Sequence, residues 1–189
     1  MDNKVTKCSP PYPKGYEPNY IIPSEYCAFR FAIGKLGTNP LVAICMNPSA
    51  ARDASSDRTI NRIINISKIL KMDGWIVFNT YPERATDAKN ISNYDESLSN
   101  KNIQIISDFL IEHNITEVWG AWGDDKNCIP LSKGKAQLLT KLNSIGINVF
   151  YYGTLTNAHN PRHPLQRKEK WNFTSENKHL FKINISPHE

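Results

Sequence analysis

The sequence predicts an α/β protein, organised as a three-layer α/β/α sandwich around a mainly parallel four-stranded sheet. Apolar runs of the length of single buried strands occur at residues 41–46, 74–79, 116–123 and 147–152. Segments with apolar residues at helical spacing lie between or beside them, at residues 50–72, 97–113 and about 132–145. Strands that alternate with helices in this way favour a parallel sheet with helices on both faces.

The N-terminal region differs from the rest of the chain. Residues 1–25 are rich in Pro and Tyr and lack periodicity, which predicts an extended arm that is either packed through its tyrosines or partly mobile. Residues 26–33 alternate in polarity and lead through a turn into the strand at 41–46, so we expect these two strands to form a hairpin. Without an internal repeat, residues 26–189 are expected to form a single domain, closed by a short amphipathic segment over 176–181.

Composition excludes several classes of protein. The chain has 189 residues, enough for a sizeable core, and its 40% hydrophobic and 22% charged content is typical of soluble globular proteins. No apolar run approaches the roughly 18 residues of a membrane span, and the first residues lack the apolar core of a signal peptide. We therefore expect a cytoplasmic protein with no membrane partner. Four scattered cysteines without a C-x-x-C pair predict free thiols and no metal site.

Each predicted parallel strand ends in polar or small residues. These clusters are Asn47-Pro48-Ser49, Asn79-Thr80, Gly120 to Gly123, and Gly153-Thr154. Proline cannot continue a central strand, so the first strand must end near Met46. Because parallel strands bring their carboxyl ends to one edge, where α/β proteins bind ligands, the clusters predict a pocket there. Taken alone, the first cluster is equally well explained as a strand-to-helix turn with Asn47 and Ser49 as caps.

The motifs for several common chemistries are absent. No phosphate-binding glycine loop of either common type is present, so neither a nucleotide cofactor nor any other cofactor is expected. The G-x-S-x-G motif of α/β-hydrolases is also missing. His163 lies in the last polar loop, at residues 153–166, where Pro164 restricts its backbone. A rigid neutral imidazole at this place can donate a hydrogen bond to developing negative charge, although a histidine that only caps the loop is the alternative.

On these residues the chain resembles the uracil-DNA glycosylase superfamily, and more closely a branch of it formed by bacterial and phage proteins of unassigned function. The superfamily's first motif, Gly-x-(Asp/Asn)-Pro, matches residues 45–48 with Cys45 in place of Gly. Its Asn after the second strand matches Asn79, its Trp-Gly matches residues 122–123, and its His-Pro-Ser matches residues 163–165 with Leu165 in place of Ser. The closer branch adds short matches at Arg30-Phe31, Asn47 to Ala51, Asp57 to Thr59, Arg84 to Asp87, Ala121 to Gly123, and Pro161 to Leu165. The resemblance spans roughly residues 26–182.

The resemblance implies a uracil-DNA glycosylase-like fold and a monofunctional DNA glycosylase, which hydrolyses the N-glycosidic bond of a flipped base and leaves an abasic site. No lysine lies in the motifs to form a Schiff base. Asn47 would position the attacking water. An amide cannot take a proton, so Asp57 or Asp87 would assist, unless Asp57 is only a helix cap. His163 would donate a hydrogen bond to the departing base.

The same resemblance implies a base pocket and a surface for DNA. Asn79 would bind the pyrimidine edge, and the remaining pocket residues would be Met46, Ser49 and Trp122. DNA phosphates, or a polar substituent of the base, would contact arginines and a lysine: Arg30, Arg84, Arg162, Arg167 and Lys168. The net charge of +5 and the basic stretch at 158–182 are compatible with a DNA partner. A monomer is expected.

One departure from the superfamily bears on specificity. Uracil-specific members place a Tyr after the Pro of the first motif, to exclude 5-substituted bases, and Ser49 stands there in this chain. We therefore predict a 5-modified pyrimidine as the base, such as hydroxymethylated or glucosylated cytosine of phage DNA. Two other functions remain open. A non-catalytic binder of modified DNA is favoured by the absence of Asp from the first motif, and the modest charge allows a hydrolase of free nucleotides or nucleosides.

Overall fold

The computed structural model describes residues 10–125, 127–166 and 171–183, which form a seven-stranded sheet and three α-helices. The strands are β1 (Tyr20–Ile22), β2 (Ala32–Lys35), β3 (Pro40–Cys45), β4 (Gly74–Asn79), β5 (Glu117–Gly120), β6 (Asn148–Tyr152) and β7 (Lys178–Leu180). The α-helices are α1 (Arg58–Ile69), α2 (Glu96–Glu112) and α3 (Ile129–Ser144), and short 3-10 helices lie at Ala88–Asn90 and Ser175–Asn177.

The strand order is β1-β2-β4-β3-β5-β6-β7. The four strands β4, β3, β5 and β6 are parallel, whereas β1, β2 and β7 are joined to the sheet by antiparallel pairing. The predicted α/β class with a mostly parallel central sheet is confirmed, but the predicted number of four strands is wrong. The chain leaves β3 on one side to form β4 and returns on the other side as β5. The carboxyl ends of β3 and β5 are therefore a topological switch point, the usual ligand site of such sheets.

The two faces of the sheet carry different helices. Alternate residues of β3 point to opposite faces, and Leu41 and Ala43 pack in one core cluster while Val42 and Ile44 pack in the other. The first cluster contains the apolar face of α1, and the second contains those of α2 and α3. The protein therefore has three layers, with α1 on one side of the sheet and two helices on the other.

The expected hairpin between residues 26–33 and the strand at 41–46 is wrong. The observed strand β2 is shorter and pairs with β1 and β4, not with β3. Gly34 permits this contact, because a Cβ atom at this position would overlap with the backbone oxygen of Trp75. Adjacency in sequence favoured β3 as the partner, but the close backbone approach that Gly34 allows favours β4.

Residues 10–25 of the expected arm pack against the rest of the protein. The ring of Tyr12 is buried and stacks on Trp75, with 6.0 Å between ring centroids, and its hydroxyl donates a hydrogen bond to the carbonyl oxygen of Arg52. The backbone N–H of Ser56 donates to the carbonyl of Pro10. These contacts hold the loop at residues 50–57, which precedes α1, and β1 then forms one edge of the sheet.

Two further elements differ from expectation. The first helix begins at Arg58, not near Ala50, because the Asp57 side chain accepts a hydrogen bond from the Ile60 N–H and caps it. The amphipathic C-terminal segment contains the edge strand β7. Within the described ranges, no helix is both long and apolar enough to span a membrane.

Candidate functional site

A cavity of about 520 Å³ lies at the carboxyl ends of β3, β4 and β5, at the switch point of the sheet. Its volume is within the range of small-molecule sites in proteins. Nine of the residues selected from the sequence line it: Arg30, Met46, Asn47, Ser49, Asp57, Asn79, Trp122, Arg162 and His163. The fold therefore brings most of the predicted site together.

Asn79 is the last residue of β4 and is fully buried at the cavity. Neither its amide nitrogen Nδ2 nor its amide oxygen Oδ1 has a hydrogen-bond partner in the described part of the chain. Its backbone carbonyl is satisfied by Nδ2 of Asn102, at 2.9 Å. A buried donor and acceptor without partners are costly and uncommon in folded proteins. This amide is complementary to a ligand edge that carries an acceptor beside a donor.

Asn47 follows β3 and has one committed and one available side-chain atom. Its Nδ2 donates to the carbonyl oxygens of Ala85, at 2.8 Å, and Pro48, at 3.2 Å. These bonds fix the orientation of the amide, so that Oδ1 remains an acceptor without a partner among the described residues. An acceptor fixed in this way can orient a water molecule in the cavity.

Asp57 combines a structural contact with an available carboxylate oxygen. Its Oδ1 accepts the Ile60 N–H at 2.9 Å and caps α1. Its Oδ2 has no hydrogen-bond partner in the described ranges, and the residue lines the cavity. Burial lowers the pKa values of both His163 and Arg30, and the negative charge of Asp57, which faces both groups, opposes this lowering in part. The carboxylate is therefore both a cap and a candidate proton acceptor.

His163 is held as a neutral hydrogen-bond donor. The backbone N–H of Leu165 donates to its Nδ1 at 3.2 Å, so the proton of the neutral ring belongs on Nε2. Burial lowers the pKa of His163 below its usual value, and the charge of Asp57 opposes this effect in part. The ring lines the cavity, where Nε2 has no partner among the residues described.

The lowered pKa of His163 predicts a pH-dependent stability. Between the lowered folded-state pKa and about 6.5, the unfolded chain binds a proton at this residue and the folded protein does not. We expect the melting temperature to fall as the pH decreases through this window, and we expect this fall to be smaller in His163→Asn. Thermal unfolding of both proteins between about pH 5 and 8 measures the difference. The variant His179→Asn, at an exposed position in β7, serves as the control, and equal pH dependence of wild type and His163→Asn would contradict the prediction.

A polar network that the sequence did not predict connects the loops after β5 and β6. The Asn160 side chain accepts from Trp122 Nε1 at 3.2 Å and from Lys135 Nζ at 3.0 Å, and it donates to Asp124 at 2.9 Å. Lys135 also pairs with Asp125 at 2.9 Å. The network fixes the loop that carries His163. The only available signal was the location of Asn160 in the polar loop at 153–166.

Trp122, Met46 and Ser49 form walls of the cavity. The indole of Trp122 is buried, its N–H is used by Asn160, and its ring packs edge-on against Phe181. The backbone carbonyl of Met46 accepts a hydrogen bond from Thr80 Oγ1, at 2.7 Å. The side chain of Met46 is therefore the part of this residue that can contact a ligand. The Ser49 hydroxyl has no hydrogen-bond partner in the described ranges. Small and polar, it provides space and one adjustable hydrogen bond.

The arginines have more restricted roles than the sequence predicts. Arg30 is only 2% exposed, and its guanidinium donates to the carbonyl oxygen of Ala51 at 2.8 Å while its buried Nε is unpaired. Burial, with the nearby Arg84, lowers its pKa to about 10, so it remains a cation at neutral pH. It is too deep for the DNA surface and can contact only a group inside the cavity. Arg162 is held by the carbonyl oxygens of Thr154 and Leu155, each at 3.1 Å.

Two predicted residues are not part of the cavity. Asp87 accepts the Lys89 N–H at 3.1 Å, caps the 3-10 helix Ala88–Asn90, and is exposed, so it is not placed to assist water in the cavity. Arg84 points to the carbonyl oxygens of Ser49, at 2.9 Å, and Ala51, at 3.1 Å, and lines an adjoining groove. Arg167 and Lys168 lie outside the described residues. The described residues contain no group of three or more His, Cys, Asp or Glu side chains that could hold a metal ion.

The fold and cavity together define an α/β protein with a cavity at the switch point of its sheet. A family model described as a protein of unknown function (DUF1643) matches residues 30–165, and the chain belongs to this family. The matched range contains every cavity residue discussed above. Comparison with curated proteins finds no match, and comparison with solved structures finds none either.

Proposed function

We propose that this protein is a monofunctional DNA glycosylase that removes a flipped, 5-modified pyrimidine from DNA. The observation that carries the proposal is the Asn79 amide, which is fully buried at the cavity with both polar atoms unpaired. A pyrimidine edge presents neighbouring donors and acceptors of this kind, and enzymes that act on a base must bind it outside the helix stack. The basic character of the protein, with a net charge of +5, is consistent with an anionic polymer as substrate.

The residues of the cavity support hydrolysis as follows. The C1′–N1 bond breaks with both electrons leaving on the base, and the sugar acquires oxocarbenium character. Nε2–H of His163 donates a hydrogen bond to the oxygen of the base on which negative charge develops. Oδ1 of Asn47 orients a water whose oxygen bonds to C1′, and Oδ2 of Asp57 accepts the proton that this water loses. The products are a free base and an abasic deoxyribose, without a covalent enzyme intermediate.

Three features of the cavity favour a base larger than uracil. The volume is about 520 Å³, and Ser49 leaves open the position of an aromatic wall. Arg30 contributes a buried cation whose Nε lacks a partner. A hydroxymethyl or sugar substituent at carbon 5 presents oxygen atoms that such a donor can bind. These features support hydroxymethylated or glucosylated cytosine as substrates, with invading phage DNA as their source.

The test is an abasic-site assay on a panel of DNA substrates that contain uracil, 5-hydroxymethylcytosine or glucosylated 5-hydroxymethylcytosine. We expect abasic sites in the modified DNA, detected by strand cleavage in alkali, and intact strands before alkali is added. Abasic sites in uracil DNA alone would show that the base is not 5-modified. If no substrate of the panel acquires abasic sites, the glycosylase proposal is wrong.

A second candidate is a non-catalytic reader of modified DNA. It is favoured by one observation, the amide of Asn47 in place of a carboxylate, with its Nδ2 bound to the carbonyl of Ala85. A binder needs the recognition by Asn79 but not the proton acceptor. Saturable binding to modified DNA without abasic product, together with unchanged affinity in Asp57→Asn, would favour this candidate over the enzyme.

A further inference from the structure

A groove of about 520 Å³ adjoins the cavity and is lined by Tyr26, Arg52 and Arg84; we call it the arginine groove. Ser49, Ala85 and Thr86 line both spaces, so the groove and the cavity share a wall. A ligand that fills the cavity and continues past this wall enters the arginine groove. The short motifs that carry the sequence resemblance include Arg84 but neither Tyr26 nor Arg52.

The two arginines of the groove both make cation–π contacts with the same aromatic ring, that of Tyr26. The guanidinium carbon of Arg52 lies 4.0 Å from the centroid of the Tyr26 ring, and that of Arg84 lies 4.6 Å from it. The ring is 59% exposed, so the arrangement opens to solvent. Stacking of a guanidinium on an aromatic ring leaves its N–H groups, which lie in the guanidinium plane, available for hydrogen bonds.

No carboxylate forms a salt bridge with Arg52 or Arg84 in the described part of the chain. Arg84 is anchored through one terminal nitrogen to the carbonyl oxygens of Ser49 and Ala51, while its buried Nε has no partner. The Arg52 guanidinium makes no hydrogen bond to any described residue. Two neighbouring cations without counterions repel each other, and a bound anion would relieve this repulsion. The planar N–H groups of arginine match the oxygens of a phosphate group.

We infer that the arginine groove binds the phosphodiester adjacent to the nucleotide whose base occupies the cavity, with Arg52 and Arg84 contacting the phosphate oxygens. This inference rests on the proposed function, because it takes the occupant of the cavity to be part of a DNA strand. Tyr26 acts as a positioning residue, because both guanidinium groups lie against its ring. The groove then supplies affinity for the strand, independent of the identity of the base.

The test compares Arg52→Gln with Lys71→Gln as the control. Lys71→Gln also removes one exposed positive charge, but Lys71 follows α1 and precedes β4, at the end of the strands away from the cavity. Arg52 makes no side-chain hydrogen bond and contacts Tyr26 only at an exposed ring, so its replacement should affect folding little. We measure the affinity for a short fluorescent single-stranded oligodeoxynucleotide over a range of salt concentrations. Arg52→Gln should weaken binding about 3- to 10-fold and reduce the salt dependence by about one phosphate contact, whereas Lys71→Gln should match the wild type. Arg52→Lys should restore the salt dependence but only part of the affinity, because it lacks the planar fork.

An unchanged salt dependence in Arg52→Gln would overturn the inference. So would a loss confined to deoxycytidine monophosphate, measured in parallel, because the groove would then serve a free nucleotide. The assay needs no catalysis, which separates the two proposals. If the wild type forms abasic product and Arg52→Gln binds DNA as well as the wild type does, the role of the arginine groove is refuted and the glycosylase proposal stands. If Arg52→Gln binds more weakly and the wild type forms no abasic product on any substrate, the glycosylase proposal is refuted and the phosphate contact at the groove stands.

Discussion

Replacing Asn79 by leucine is expected to weaken ligand binding strongly without reducing the stability of the protein. The amide is fully buried and has two unpaired polar atoms, so an apolar side chain of similar size removes a desolvation cost. The free energy of unfolding should be unchanged or rise by up to about 2 kcal/mol. Binding and turnover should fall about 100-fold or more, because two hydrogen bonds to the ligand, each worth about 1.4 kcal/mol, are lost.

Denaturant unfolding and the abasic-site assay measure the two halves of this prediction on the same preparations. Asn102→Leu is the matched control, because it makes the same chemical change at a neighbouring buried amide. Its Nδ2 donates to the carbonyl of Asn79, so its loss leaves a buried acceptor unpaired and should lower the stability by about 1–3 kcal/mol. A marked destabilisation by Asn79→Leu would mean that its amide has a structural role, and the recognition role would be withdrawn.

Asp57→Asn is expected to reduce the rate of base removal about 10²- to 10⁴-fold, the usual contribution of a general base, while the protein remains folded. Asparagine retains the oxygen that accepts the Ile60 N–H and is as good a helix cap as aspartate. The unfolding free energy should therefore change by only about 0.5 kcal/mol. The variant separates the two roles of Asp57, since the cap survives and the proton acceptor does not.

The chain provides a close control for this experiment. Asp95 caps α2 in the same way, by accepting the Leu98 N–H at 2.9 Å, but it does not line the cavity. Asp95→Asn should have wild-type activity and a similarly small change in stability. Single-turnover rates of abasic-site formation and thermal unfolding of both variants complete the comparison. Equal rates in Asp57→Asn and Asp95→Asn would exclude Asp57 as the proton acceptor.

The local pattern of the sequence predicted the part of the fold that forms the cavity. The strand expected at residues 74–79 is observed as β4, and it ends at Asn79 as expected. Apolar runs and the residues that end them are local signals of the sequence. Parallel pairing of the strands then places these terminal residues at the same end of the sheet. Asn79 lies beside Cys45 in the register of β3 and β4, so it lies at the same end of the sheet as Asn47, and both residues line the cavity. That Asn47 and Asn79 line the same cavity therefore followed from the parallel topology alone.

Features that depend on tertiary contacts were not predicted. The strands β1 and β7 have three residues each, too few to show a period of two. Asp57 and Asp87 looked equivalent in sequence, since both lie in polar loops, but only Asp57 lines the cavity. Likewise, the direction of Arg84 depends on the carbonyl oxygens of Ser49 and Ala51, which the loop after β3 brings together. Every residue has a backbone carbonyl, so the residue types do not indicate which carbonyl oxygens will accept a hydrogen bond from Arg84.

The two outermost strands have a consequence for how the family is delimited. Residues 30–165, the range that the family model matches, include neither β1 nor β7. Without these strands, β2 and β6 would present their unpaired N–H and C=O groups to solvent, and strands exposed in this way pair with other chains and aggregate. The segment by which the family is recognised is therefore smaller than the unit that protects its own sheet from self-association.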